Sequence, residues 1–320
     1  MKLDLWLITA FAWAIIATLW LVLMPKETKG KSWHYRLAYV PLLAFLPVFL
    51  MPESAFTEGV KLWIIGGAGV LIMVYLGWIV GTVLKNHGMM DVFYSLSPLG
   101  AALVIFKVLD RPLDLYTGVF FACLGLWAVR LAAHVFRDNI KHERQPYAHW
   151  RKSFGKTWIW WSAFQVHLMQ AVIIWLWSAP IAFVLASPEP RPTYLLIPAV
   201  LIWALGFGLQ VAADHQLAAF KKKGLGRGGL LDTGVWSVVR HPNYLGEMLM
   251  WLSWWVFALA HPMGWVMIWA PLFNSFFMGF VSAAPFKEAH MARTRPEAWA
   301  DYCTRVPRLL PFPRPSKKAA

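Results

Sequence analysis

Charge is scarce in this chain. Only 14% of its residues are charged, where soluble globular domains carry roughly 25%. A further 59% are hydrophobic over 320 residues, which excludes an ordinary soluble fold. Acidic residues are the scarcest, 16 against 30 lysines and arginines, for a net charge of +14. That excess does not point to nucleic acid, because the basic residues sit in short loops between apolar runs. There they set topology and meet anionic lipid. Cysteine is nearly absent. Cys123 and Cys303 lie far apart without ligand spacing, which excludes a disulfide framework and a zinc site. The 10 histidines do not cluster at helical ligand spacing, and His241, followed by Pro242, is a loop residue, so no metal is expected. A GxSxG nucleophile elbow and a Walker loop are both missing. So are internal repeats and low-complexity segments.

What the chain has instead is apolar runs of about twenty residues, the length that crosses a hydrocarbon core of roughly 30 Å. The fold class is all-α, a polytopic integral membrane protein of about nine spans. These are 4–24, 37–51, 60–84, 91–109, 116–136, 158–186, 194–215, 243–260 and 264–284. The first is too long and too uniformly apolar for a cleaved signal and lacks a small-residue cleavage motif, so it reads as a retained helix. The loops alternate in charge. Lys26, Lys29, Lys31 and Arg36 follow span one, and Glu53 and Glu58 follow span two. Lys85 follows span three, while Asp110, Arg111 and Asp114 cancel after span four. Arg137, Lys141, Arg144, Arg151, Lys152 and Lys156 follow span five, and Glu189 and Arg191 follow span six. Lys221, Lys222, Lys223, Arg227 and Arg240 follow span seven, His261-Pro262 is uncharged, and the tail runs from Arg293 and Arg295 to Arg314, Lys317 and Lys318. The positive-inside rule then puts the N-terminus outside and the C-terminus in the cytoplasm, with the inner (plasma) membrane as the expected location. Tryptophans near many span ends fit an interfacial belt.

Ionisable groups inside spans are costly and need a reason. Asp214 ends span seven, with Gln210 one turn earlier on the same face and His215 and Gln216 directly after. Asn243 and Glu247 open span eight, four apart on one face. Between them runs a segment with glycines at 224, 226, 228, 229 and 234, where backbone amides can approach a ligand closely. With Lys221, Arg227 and Arg240 it suits a phosphate-bearing ligand, and Pro242 at a helix start adds an anion site. The bland alternative is a positive-inside loop before a capped helix. Arg137-Asp138, His142-Glu143-Arg144, Tyr147 and Arg151 are either a ligand wall or a solvated connector. The tail, Lys287-Glu288-Ala289-His290, Trp299-Ala300-Asp301-Tyr302 and Arg305-Val306-Pro307-Arg308-Leu309-Leu310-Pro311, keeps too many aromatic and apolar residues for a disordered end. It is expected to fold back as a lid or wall. Asp91 and Tyr94 open span four, and Tyr94 is either a proton donor with a pKa near 10 or an interfacial anchor. His167, Gln170 and Asn274 lie deeper, as helix–helix hydrogen bonds or parts of a lipid-facing pocket.

Three stretches resemble a known family. Asp214-His215-Gln216 through Phe220-Lys221, Gly234-Val235-Trp236-Ser237-Val238-Val239-Arg240-His241-Pro242-Asn243-Tyr244-Leu245-Gly246-Glu247, and Tyr302 with Arg305-Val306-Pro307-Arg308-Leu309-Leu310-Pro311 are similar to the C-terminal domain of the steroid 5α-reductase family. The likeness is closest to its largely uncharacterised bacterial branch, which also shares Trp127 to Arg130, Arg137, Arg144, Tyr147 and Gln170. It covers roughly 60–320. Residues 1–59 are then two added N-terminal helices before a seven-helix catalytic domain with a folded-back tail. The resemblance implies an NADPH-dependent membrane reductase of a carbon–carbon double bond conjugated to a carbonyl, in a sterol-like or other lipid from the bilayer. It implies Asp214, Asn243 and Tyr302 at the cofactor, Lys221 or Arg240 near its phosphates, and His241, Tyr244 and Arg305 as the remaining cofactor-side members of the motifs. Glu247 would sit beside the nicotinamide or orient Asn243, and Tyr94 would give the proton. The Glu that steroid reductases use in an earlier membrane helix has no counterpart in spans three or four. Isoprenylcysteine carboxyl methyltransferases belong to the same superfamily and carry a similar Arg-His-Pro-x-Tyr motif, with S-adenosylmethionine as ligand. Glu288 resembles half of their acidic pair. Asn243, the Gly246-Glu247 step and Asp214-x-Gln216 favour the reductase. A non-catalytic transport or assembly protein would instead place polar residues near the midplane of broken helices.

Overall fold

The computed structural model describes residues 4–24, 33–224 and 229–312. Lys26, Lys29, Lys31, Gly226, Arg227, Gly228, Arg314, Lys317 and Lys318 lie outside the described residues. Among those described there is no strand. Backbone in hydrocarbon has to satisfy its own N–H and C=O groups, and the helix does so within one segment.

Each expected span is helical. α1 is Asp4–Leu23. The second expected span is a 3₁₀ helix, Trp33–Ala44, running into a short α2, Phe45–Leu50. Pro41 lies inside the 3₁₀ stretch and removes a backbone donor that a longer α-helix would need. α3 (Ala55–Val83) starts at a capping box between Ser54 and Thr57. α4 is Met90–Leu109, and α5 (Leu115–Asn139) is capped by the Asp114 carboxylate accepting from the Thr117 amide at 2.9 Å. The long sixth span is not one helix. It comprises α6 (Tyr147–Phe154), α7 (Trp158–Trp161), a π-helical stretch Ser162–Leu168, α8 (Met169–Trp177) and α9 (Ala179–Ala186). Pro180 in the first turn of α9 cannot donate into a continuing helix, which accounts for the break at Ser178. α10 is Leu196–Lys222 and α11 is Pro242–Ala258. α12 (Trp269–Phe276), a π turn (Phe277–Val281) and α13 (Ala283–Thr294) follow, so the ninth segment runs past its expected end at 284. α14 is Pro296–Arg305.

Seven segments are long and apolar enough to cross a bilayer; Tyr35–Leu50 is shorter, and α11 has 17 residues, at the low end of the spanning range. On α1, Ile8, Phe11, Ile15 and Leu19 are each more than half exposed, a surface that water would penalise and lipid accepts. The chain is a polytopic membrane protein.

The described chain forms two compact units. The first holds Met1–Thr193 with Phe257–Ala270, the second Tyr194–Val256 with Pro271–Ala320. In the first, the Tyr116 hydroxyl donates to the Phe257 carbonyl at 2.7 Å. Trp63 and Trp175 stack at 3.9 Å, each indole donating to the other's carbonyl. A second group of polar residues is also satisfied there: Tyr147 donates to Asp91 at 2.6 Å, and Arg151 forks onto Glu143 at 2.7 and 2.9 Å. Within that segment Tyr147 and Arg151 are thus held by carboxylates of the same unit.

In the second unit, α10 and α11 touch backbone to backbone. A side chain at Gly246 would put its Cβ 2.5 Å from the Gly206 carbonyl oxygen, and the reverse substitution gives 2.6 Å. Small residues permit this approach, and it has a direct consequence for the site. Gln210, one turn after Gly206, comes to lie against Glu247, the neighbour of Gly246.

Candidate functional site

The second unit carries a cup of about 300 Å³, at the low end of the range for small-molecule pockets. Three segments build its wall. The last turns of α10 supply Leu217, Phe220 and Lys221; the start of α11 and the residues before it supply Trp236, Arg240, His241, Asn243 and Tyr244; α13 and α14 supply Lys287, His290, Met291, Trp299 and Tyr302. Leu217, Phe220 and Lys221 stand at helical i, i+3, i+4 spacing, as do Lys287, His290 and Met291, so each trio presents one face.

The loop between α10 and α11 is held by Gln216. Its side-chain oxygen accepts the Val235 amide at 3.1 Å. Gly234 has φ +62, and a Cβ there would lie 2.4 Å from that same oxygen, so only glycine makes the turn without strain. The Trp236 indole donates to the Ala213 carbonyl at 3.2 Å. These contacts tie Ala213 and Gln216 near the end of α10 to the segment Gly234–Trp236.

The tail closes the other side. Tyr302 is 1% exposed and donates to the Trp236 carbonyl. Burial pushes its phenol well above the ordinary range, so the hydroxyl keeps its proton as a donor. Trp299, Tyr302 and Val306 form a small apolar core with Leu230, Met291 and Cys303. The Arg240 amide donates to the Pro307 carbonyl at 2.9 Å. The expected folding back of the tail thus has specific bonds behind it.

One carboxylate ties the parts together. Glu288 on α13 accepts from His241 Nε2 at 3.1 Å, pairs with Arg240 at 3.2 Å and also meets Arg308. Arg240 is 6% exposed; its guanidinium also meets the Cys303 thiol and lies 5.5 Å from the Trp299 ring centre. His241 stacks on Tyr244 at 5.2 Å. Sequence reasoning set Glu288 beside a methyltransferase acidic pair and did not foresee this hub. Its signal was present in the charge arithmetic: a lone acid among Lys287, His290 and Arg293 must find cations when buried.

Deeper in the unit, Glu247 is 3% exposed. Its two oxygens accept from Gln210 Nε2 at 2.8 Å and the Trp251 indole at 3.1 Å. Asn243, one turn nearer the cup, has an Oδ1 that is buried without a partner, an acceptor suited to a ligand N–H.

Of the residues expected at the cofactor, Lys221, Arg240, His241, Asn243, Tyr244 and Tyr302 line this one cup. Asp214 and Arg305 do not. Asp214 is half-buried on α10, close enough to act electrostatically on Tyr244. Arg305 is half exposed and bridges Asp232 at 3.2 Å and Asp301 at 2.7 Å. Tyr94 belongs to the first unit, edge-on to Trp177 at 5.9 Å. No group of three or more metal-ligating side chains occurs among the described residues.

A family model described as "Protein of unknown function (DUF1295)" matches residues 77–306. The chain belongs to that family, which lies within the steroid 5-alpha reductase-like superfamily. The match includes every cup residue named above. Among curated proteins, it is 30% identical over 154 residues to the Delta(14)-sterol reductase TM7SF2 of Mus musculus, covering 42% of this chain and 35% of that one. It is 35% identical over 97 residues to the Delta(14)-sterol reductase LBR of Gallus gallus, covering 30% of this chain and 14% of that one. The alignments thus span little more than a third of the relatives' length at most. No solved structure matches.

Proposed function

We propose that the cup holds NADPH and that the protein reduces a carbon–carbon double bond in a sterol-like or other lipid drawn from the bilayer. The observation that carries this reading is the convergence of Lys221, Arg240, His241, Asn243, Tyr244 and Tyr302 on one cavity, in a chain whose relatives are named as sterol reductases. The residues suit the cofactor. Lys221 and Arg240 supply cations for phosphates, Tyr244, Trp299 and Tyr302 supply ring surfaces, and Asn243 Oδ1 offers a buried acceptor for the carboxamide N–H. Bound there, NADPH would supply the hydride.

The chain's own groups do the rest. Glu247, fixed by Gln210 and Trp251, stands one helical turn behind Asn243 on α11 and is proposed to orient it. Arg305 acts through Asp232, steadying the loop that carries the cup's rim. Asp214 sets the charge beside Tyr244. Tyr94 is the proposed proton donor, and one hydride with one proton saturates the bond. Helices α1 and α2 are proposed as an addition to the catalytic domain, since the family match begins at residue 77. The inner (plasma) membrane is the proposed location.

S-adenosylmethionine fits the cup less well. Lys221, Arg240, Lys287 and Arg295 line it, and a sulfonium cation is repelled by such a wall. The acid of the motif, Glu288, is engaged by Arg240, His241 and Arg308. The test is isotopic. Purified protein incubated with NADPH deuterated at the transferable position and a 14-unsaturated sterol should give a saturated product heavier by one deuterium. Absence of deuterium in the product, or transfer of a labelled methyl group from S-adenosylmethionine, contradicts the reading.

A further inference from the structure

The first unit holds a separate cavity of about 350 Å³ that shares no residue with the cup. Trp20, Leu23 and Met24 at the end of α1 form one wall, and Trp160, Trp161 and Phe164 form the other. Trp20 stacks on Phe164 at 5.3 Å and meets Tyr35 edge-on at 4.9 Å. Phe164 belongs to the π-helical stretch Ser162–Leu168, a kind of insertion that recurs at functional sites. Thr157 supplies the one hydroxyl of the lining, and it donates to the Phe154 carbonyl at 2.7 Å. The interior therefore suits hydrocarbon.

Cations stand at its edge. Lys156 directly precedes Thr157, and Lys152 lies on α6, whose last residue, Phe154, stacks on Trp161 at 4.0 Å. Arg36 follows Tyr35, the residue packed on Trp20. All three cations are exposed. The carboxylates of the same connector are taken, Glu143 by Arg151 and Asp138 by Arg144. Arg36, Lys152 and Lys156 have no carboxylate partner among the described residues.

We propose that this cavity binds one anionic glycerophospholipid, with an acyl chain between the two aromatic walls and the phosphate on the cations at its edge. The chemistry selects the ligand. An apolar slot takes hydrocarbon and gives no partner to the hydroxyls of a sugar or the edge of a nucleotide base. Unpaired cations near a bilayer surface favour a negatively charged headgroup over a zwitterionic one. A sterol offers hydrocarbon without that charge. The site goes beyond the reductase reading and does not depend on it. Its place in the chain gives it a role: α1 precedes the family match at 77–306, whereas Trp160, Trp161 and Phe164 lie inside it. The lipid fills the space where the added helix meets the family's own span.

The test uses the full chain in detergent, with phosphatidylglycerol and phosphatidylcholine of identical dioleoyl chains, and oleate, as probes. Phosphatidylglycerol should stabilise wild type with an apparent affinity about fivefold or more above that of phosphatidylcholine, the effect expected of a cation or two near a bilayer surface. Lys152→Gln combined with Lys156→Gln should erase that preference. Its ligand-free melting temperature should stay within about 1 °C of wild type, because both side chains are exposed. Lys85→Gln combined with Lys141→Gln removes the same charge from exposed positions on the same expected side of the membrane and should keep the preference. Phosphatidylglycerol with a photoreactive acyl chain should label residues 20–24 or 160–164, and excess unlabelled lipid should remove that labelling. Equal response of wild type to the two phospholipids overturns the proposal, as does a preference that survives in the Lys152 and Lys156 variant. Equal loss of preference in the Lys85 and Lys141 variant overturns it too, since the charge effect is then diffuse. Oleate matching phosphatidylglycerol would assign a fatty acid instead, and competed labelling confined to other segments would put the lipid elsewhere; either result contradicts the site.

Discussion

The Glu288 hub allows a quantitative prediction. Glu288→Gln keeps the shape of the side chain and removes its charge, leaving Arg240 and His241, 6% and 8% exposed at their side chains, beside a neutral amide. Removing one partner of a buried ion pair costs about 3–5 kcal/mol. Here the lower end applies, because the amide oxygen still accepts one bond and Arg308 is 33% exposed, where solvent screens its charge. A loss of about 3 kcal/mol corresponds to roughly 6 °C in melting temperature for a large domain. The tail should loosen at the same time, since Arg308 and Arg240 are its attachment points. Scanning fluorimetry in detergent reads the first effect, and limited trypsin digestion at Arg305 and Arg308 reads the second. A melting temperature within about 1 °C of wild type, with unchanged digestion, would refute the claim that this carboxylate holds the tail to the cup.

Two further outcomes follow from packing and charge. Gly246→Val forces a branched side chain against the Gly206 carbonyl, where even a Cβ would sit at 2.5 Å. It should cost about 2–3 kcal/mol, measured by denaturation in detergent, and weaken NADPH binding by separating Gln210 from Glu247; unchanged stability would show that α10 and α11 are not in backbone contact. Asp114 gives a pH prediction. Burial alone raises its carboxyl, but the bonds from Thr117 and Arg191 outweigh that and hold it below its ordinary value. A depressed carboxyl adds stability above its unfolded-state value and loses it as pH falls through the folded one. Asp114→Asn should therefore lower the melting temperature at neutral pH and converge with wild type at strongly acid pH; parallel curves would count against the pair.

Much of the fold was legible in the sequence for a physical reason. In hydrocarbon the backbone has one cheap solution within a segment, so apolar run length nearly determines the helix. Departures occur where side chains or proline intervene. Pro41 stands in a 3₁₀ stretch and Pro180 starts a new helix after Ser178, and hydropathy averages are blind to both. The site was legible where motifs fix backbone geometry. Gly234, Gln216 and the Arg240–Tyr244 run carry their constraint in residue identity, because a positive φ or a buried charge tolerates few replacements. Glu288 was harder. Its role depends on which side chains surround it after the tail folds back. A sequence shows that Glu288 is acidic, but not that it is met by Arg240, His241 and Arg308. Trp299 and Met291 joined the cup for the same reason, through tertiary packing.

The most direct test of the central claim is ligand-induced stabilisation of the purified protein. NADPH at one hundred times its dissociation constant should stabilise the native state by about 2.7 kcal/mol, whereas S-adenosylmethionine at the same concentration should not. Asn243→Ala, which removes the unmet Oδ1 of the cup, should abolish the NADPH shift. Stabilisation by S-adenosylmethionine alone, or an Asn243→Ala variant that responds to NADPH as wild type does, would contradict the account.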